Sequence, residues 1–167
     1  MWEDALQPIP SEWFEDVQPG TMGHVLVAHT EELGFPDLRE VRVAILGVPE
    51  DRGSKAHRGS RDASRAIRKE FYSLYPGSWD FKVADLGDIV PGRDSVDSMA
   101  ALEALCVEIL QCNCIPFILG GSSDLSLALY RAYCRLERTV NAAVLHSRIS
   151  LGQDSDPLNA DNVLRSE

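Results

Sequence analysis

At 167 residues, with 44% hydrophobic and 25% charged side chains, the chain has the composition of one globular domain able to bury a sizeable core. Its net charge of −10 excludes the basic footprint that phosphate backbones require, so no nucleic-acid partner is expected. No apolar run approaches the ~20 residues that span a bilayer, and the start Met1-Trp2-Glu3-Asp4 lacks the basic and apolar regions of a signal peptide, so a cytoplasmic protein without membrane association is expected.

The charge is unevenly placed. Residues 1–40 carry nine acidic side chains against Arg39, a net of −8, which leaves −2 for the remainder. This stretch reads as an acidic N-terminal extension, a solvated face or partly ordered arm, with Trp2, Trp13 and Phe14 available to dock on their own domain or on a partner. Regular structure is expected from residue 41. Residues 41–48 form a nearly continuous β-branched and aliphatic run, the pattern of a strand buried on both faces. A helix follows over 62–75, with Asp62 near its start as a cap and Ala63, Ala66, Ile67, Phe71 and Leu74 at helical spacing; Pro76-Gly77 closes it.

Residues 81–86 read as the second strand. After Pro91-Gly92, Asp94 or Ser95 caps a helix whose apolar stripe is Met99, Leu102, Leu105, Cys106 and Ile109. Residues 115–119 make the third strand, and beyond Gly120-Gly121 a helix runs to about Glu137 with Leu125, Leu129, Ala132 and Leu136 inward. Residues 140–145 make the fourth strand, and 151–167 are a polar, turn-rich tail. Alternating strands and helices predict an α/β fold of three α-β-α layers with a mostly parallel sheet over residues 41–150.

Cys106, Cys112, Cys114 and Cys134 show no Cys-x-x-Cys pair and no nearby His at zinc spacing, and are expected as buried, reduced thiols. The glycine-bounded loop of residues 53–61 offers Lys55, Arg58 and Arg61 to an anion at a helix start, or is simply a solvated loop; it lacks a P-loop ending. Asp85 and Asp88 are placed to satisfy turn and loop donors, and His24 and His29 have no local partner pattern.

Two strand ends are the most informative segments: Leu119-Gly120-Gly121-Ser122-Ser123-Asp124-Leu125-Ser126 and Val144-Leu145-His146-Ser147-Arg148-Ile149-Ser150-Leu151-Gly152. They resemble the metal-binding strand ends of the ureohydrolase family, which includes arginase, agmatinase and formimidoylglutamase, where the corresponding patterns are Gly-Gly-Asp-His-Ser and Asp-Ala-His-x-Asp. Val43-Ala44-Ile45-Leu46-Gly47-Val48-Pro49 resembles that family's first strand and its Gly-x-Pro turn. Ala66-Ile67-Arg68 resembles the start of its first helix, and Val83-Ala84-Asp85-Leu86-Gly87-Asp88 its Asp-x-Gly-Asp strand. The resemblance covers about residues 41–152 and implies the first half of an arginase-like fold.

It also implies a two-manganese site whose ligands are replaced here. Ser123 stands where the family has a ligating His, and His146, Arg148 and Ser150 stand where it has Asp, His and Asp. Arg148 stays charged at any working pH, and a unit charge ~4 Å from a dication at an effective dielectric near 20 repels it by roughly 8 kcal/mol. Asp124, His146, Asp154 and Asp156 lie near predicted strand ends as substitute donors. The simpler roles are a helix cap for Ser122, Ser123 or Asp124, solvation or capping for Asp154 and Asp156, and a hydrogen-bonded strand end for His146.

No catalytic residue, metal or cofactor is therefore expected, and the reading is a non-catalytic ureohydrolase-like domain with a structural or interaction role, expected as a homo-oligomer. The alternative is a metal-dependent hydrolase of linear amidine C–N bonds. In the family, later strands separate the third strand from the fourth; in this chain the expectation is direct closure in the order 2-1-3-4, or an edge covered by a partner.

Overall fold

The computed structural model describes residues 2–54 and 58–145. Its strands are β1 (Leu6–Gln7), β2 (Val27–Ala28), β3 (Val41–Gly47), β4 (Lys82–Ile89) and β5 (Ile115–Leu119). The helices are α1 (Met22–Val25), α2 (Ala63–Phe71), α3 (Ser95–Gln111) and α4 (Ser126–Arg135), joined in places by short 3-10 turns. They form one sheet in the order β1-β4-β3-β5, with β2 also on β4; every pairing is parallel except β1 with β4.

The aliphatic run of β3 sits at the centre because it has layers on both sides. Ala44 and Leu46 face α3 and α4 in a core with Leu86, Leu102, Leu105, Ile109, Ala128 and Ala132. Ile45, one residue out of phase, faces the other layer with Val83, Leu119 and Tyr72. Asp94 caps α3 by accepting from Asp97 N at 2.9 Å, and the stripe from Leu102 to Ile109 is buried as its spacing predicts, with Met99 packed at its margin.

Residues before Val41 are part of this sheet and core. β1 and β2 pair with the outer side of β4, Ile9 N donates to His29 O at 2.8 Å, and Ile9, Met22, Leu26 and Ala28 are buried. Trp13 and Phe14 pack on the same cluster, so of the roles open to these two aromatics, docking on their own domain is the one observed.

Three expectations are corrected. Residues 140–145 form no strand: Glu137 turns the chain out of α4 with φ 53°, and Val144 and Leu145 are exposed. Among the described residues β5 is therefore a sheet edge, and the sheet does not close on a fourth parallel strand. α2 is shorter than expected, Asp62 makes no side-chain capping bond, and Ile67 and Leu74 are exposed. The face of α2 turned to the sheet is instead the polar i, i+4 pair Ser64 and Arg68, continued by Tyr72, because Arg68 is held by carboxylates on β4. Finally, only Cys106 and Cys114 are buried; Cys112 and Cys134, at or near helix ends, are exposed.

Candidate functional site

The carboxyl ends of β3, β4 and β5 stand side by side, with Gly47 in register with both Asp88 and Leu119. Open α/β sheets place ligands beyond such ends. Here the position is occupied by a buried ionic network. Arg68, 2% exposed, donates from Nε and Nη2 to Asp85 at 2.8 and 2.9 Å, from Nη2 to Gly87 O at 2.9 Å, and from Nη1 to Asp88. Tyr72 OH donates to Asp85 at 2.8 Å and Ser64 Oγ to Asp88 at 3.3 Å. Gly47 makes room for the crossing: a Cβ there would overlap the Asp88 carboxylate and crowd Arg68.

Burial alone would lower the pKa of Arg68, but hydrogen bonds and charge from Asp85 and Asp88 outweigh it and hold the guanidinium more firmly protonated than usual. Burial first, and then the Asp85 charge, push the Tyr72 hydroxyl well above its ordinary value, so it serves Asp85 as a neutral donor. Asp85 does accept from Gly87 N at 3.1 Å, the local turn role expected of it. Its principal partner is Arg68, which sequence reasoning missed as a functional contact although Ala66-Ile67-Arg68 was among the telling segments.

The loop after β3 is tied down in a similar way. Glu50, 2% exposed, accepts from Arg52 N at 2.7 Å and Nε at 3.0 Å, while Arg52 reaches Arg93 O, Gly92 O and Ser98 Oγ at 2.8, 3.1 and 3.1 Å. Burial acts to raise the Glu50 pKa, and the hydrogen bonds from Arg52 and Ser98 more than reverse it, leaving the carboxyl below its ordinary range.

Beyond β5, Gly120 and Gly121 both take φ +81°, and the turn is fastened by Gly121 N to Ser60 O at 3.1 Å and Ser122 N to Glu50 O at 2.9 Å. Ser123 begins a 3-10 turn, half-buried. Ser122 stands at the cap position without a side-chain capping bond, and Asp124 does not cap either. Ser122 Oγ, Asp124 Oδ1 and the nearby Ser60 Oγ are buried without a hydrogen-bond partner. His146, Arg148, Ser150, Asp154 and Asp156 lie outside the described residues.

No group of three or more His, Cys, Asp or Glu that could hold a metal occurs among the described residues. The donors after β5 are one carboxylate and the hydroxyls of Ser122 and Ser123. That set does not fit a two-manganese cluster, which needs several carboxylates and imidazoles to balance four positive charges.

Of the proposed anion-binding residues, Arg58 and Arg61 are exposed and Lys55 lies outside the described residues. Gly59 N, a donor in that loop, is already bonded to Asp51 at 2.7 Å. A groove of about 1090 Å³ runs between residues 12–21 and α2, with Arg65 seated over the Trp13 ring at 5.7 Å. A smaller hollow of about 350 Å³ shares Glu12, Trp13 and Arg65 with it and reaches Arg68 and Asp88. Neither is lined by Ser122, Ser123 or Asp124.

Parallel strands sandwiched between α2 and the α3–α4 pair, with the glycine-rich turns converging at their carboxyl ends, define an arginase-like α/β domain. The Arginase family model matches residues 41–146, and the chain belongs to that family. It is 32% identical over 97 residues to the formimidoylglutamase of Halobacterium salinarum, covering 55% of this chain and 32% of that one. It is likewise 32% identical over 101 residues to the mitochondrial guanidino acid hydrolase of Homo sapiens, covering 55% and 29% respectively. The chain thus spans about a third of the curated relatives it matches. The structure of formimidoylglutamase from Bacillus subtilis superposes with a TM-score of 0.71 at 20% identity, covering 90% of this chain and 48% of that one, a likeness of fold.

Proposed function

We propose that this chain is a non-catalytic arginase-family domain with a structural or protein-interaction role, acting as a cytoplasmic homo-oligomer without nucleic-acid or membrane partners. The observation that carries this reading is the spent state of the strand-end carboxylates. Asp85 and Asp88 are committed to Arg68 and Glu50 to Arg52, and Ser123 stands where the family has an imidazole. A guanidinium seated between two carboxylates halves their negative charge and occupies their oxygens with hydrogen bonds, which weakens their pull on a dication. The replacement of the family's Asp-Ala-His-x-Asp by His146, Arg148 and Ser150 supports the same conclusion.

The second reading is a hydrolase of linear amidine C–N bonds. It is favoured by the names of the relatives and by the orphaned oxygens of Ser122 and Asp124 at the family's strand end. Elemental analysis of protein purified in manganese, followed by assays for urea and formamide from guanidino and formimino substrates, separates the two. Substoichiometric metal and no product are expected. Stoichiometric manganese with turnover would overturn the non-catalytic reading.

A further inference from the structure

Successive residues of α2 meet different neighbours. Ser64 and Arg68 bond to carboxylates on β4, and Ile67 is exposed. Arg65 and Lys69, one position on from the buried pair and so about 100° further round the helix, line the groove shared with residues 12–21. Its volume of about 1090 Å³ is at the upper end of the range for small-molecule sites.

The two walls are fastened to each other at both ends. At one, Trp13 lies under the Arg65 guanidinium at 5.7 Å, and Phe14 packs on Tyr72 with ring centroids 5.2 Å apart. At the other, Met22 N donates to Leu74 O at 2.7 Å and Gly23 N to Tyr72 O at 3.0 Å. Between these ties the chain turns at Pro19-Gly20, where Gly20 takes φ 85°, and the buried Thr21 donates from Oγ1 to Gln18 O at 2.7 Å. The outer wall is therefore pre-formed. Both walls lie between β1 and β4 in the chain, on the side of the sheet that β1 and β2 cover, and every lining residue falls within 12–73.

Charge selects the ligand. Glu12, Asp16 and Asp62 line the groove together with Arg65 and Lys69, three carboxylates against two cations, and no ion pair joins them among the described residues. Opposite charges that share a groove without pairing leave both signs open to a ligand. A simple anion such as phosphate would meet a net charge of −1, and a simple cation would meet Arg65 and Lys69. A dipolar molecule satisfies both signs at once. Trp13, Val17 and Ala66 add apolar surface in the same groove, which suits an aromatic side chain.

We infer that this groove binds a free α-amino acid with an aromatic side chain. Arg65 and Lys69 hold its carboxylate, Glu12 and Asp16 its ammonium group, and Trp13, Val17 and Ala66 its ring. The site is separate from the strand-end network and does not depend on whether the chain is catalytic. Because the groove is open to water, a Kd of roughly 0.1–1 mM is expected.

The test is calorimetric titration of the full chain with L-phenylalanine, with N-acetyl-L-phenylalanine, which lacks the cation, and with phenethylamine, which lacks the carboxylate. Saturable binding of L-phenylalanine is expected, with amide and indole NMR shifts at Lys69 and Trp13. Each ligand charge meets two protein groups, so either analogue should bind at least about tenfold more weakly. Lys69→Gln and Asp16→Asn each remove one of those groups at an exposed position and should weaken binding about threefold with an unchanged circular-dichroism spectrum. No saturable binding up to about 10 mM, an analogue binding as tightly as L-phenylalanine, or both variants binding as wild type would overturn the proposal. If a variant misfolds, the comparison of the three ligands on the wild type decides.

Discussion

Replacing Arg68 by Met removes the centre of the strand-end network while keeping much of the side chain's apolar volume. Asp85, which is wholly buried, then keeps only Tyr72 OH and Gly87 N as partners, and Gly87 O loses the Arg68 donor. Breaking a buried ion pair from one side costs about 3–5 kcal/mol, because the remaining charge stays desolvated and uncompensated. For a domain of this size each kcal/mol moves Tm by about 2–4 °C, so Arg68→Met should melt roughly 6–20 °C below wild type. Asp88 is 28% exposed, so solvent replaces much of what Arg68 supplies, and Asp88→Asn should cost only about 1 kcal/mol. The assay is urea and thermal denaturation of the single variants and of Arg68→Met/Asp85→Asn. That double variant should be more stable than the sum of its parts predicts by about 1–3 kcal/mol, since neither charge is left alone. Arg68→Met within 1 kcal/mol of wild type, or strict additivity in the double variant, would refute the reasoning.

Asp124→Asn should stay within about 1 kcal/mol of wild type, because the buried Oδ1 position has no hydrogen bond to lose; marked destabilisation in urea would show that the carboxylate is compensated in solution. Native thiol titration should modify two of the four cysteines quickly, Cys112 and Cys134. Cys106 should resist, since burial pushes its thiol up to about 12. Glu50 is held below its ordinary value of 4.5, so its contribution is present above that pH and is lost as pH falls through the lower folded value. Glu50→Gln should therefore flatten the acid limb of stability against pH, and an unchanged limb would count against the Glu50–Arg52 tie.

Much of the central fold was legible from periodicity. β3, β4 and β5 read as apolar runs bounded by glycine turns, and their mutual order follows from parallel pairing with helical crossovers. α3 was legible because Leu102, Leu105, Cys106 and Ile109 share one stripe. α2 misled for the opposite reason: hydropathy assigns Ser64 and Arg68 to solvent, and only the carboxylates of β4 make it favourable to bury them. Similarly, the strand expected over 140–145 has the right apolar character, but strand formation requires a ladder partner, and the described residues of that segment pair with none.

At the candidate site, composition was legible and commitment was not. That the turn after β5 offers two serine hydroxyls and one carboxylate is visible from the residues alone, and it limits what that turn can ligate whatever its geometry. That Asp85 and Asp88 are consumed by Arg68, and Glu50 by Arg52, depends on register between β3 and β4 and on the close approach at Gly47. The sequence by itself determined family, the order of the three central strands and the chemistry of each donor, because these depend on local pattern and residue type. Only the tertiary structure decided which charges neutralise one another, how the acidic segment closes one margin of the sheet, and that β5 pairs with β3 alone among the described residues, because each of these depends on contacts between residues far apart in the chain.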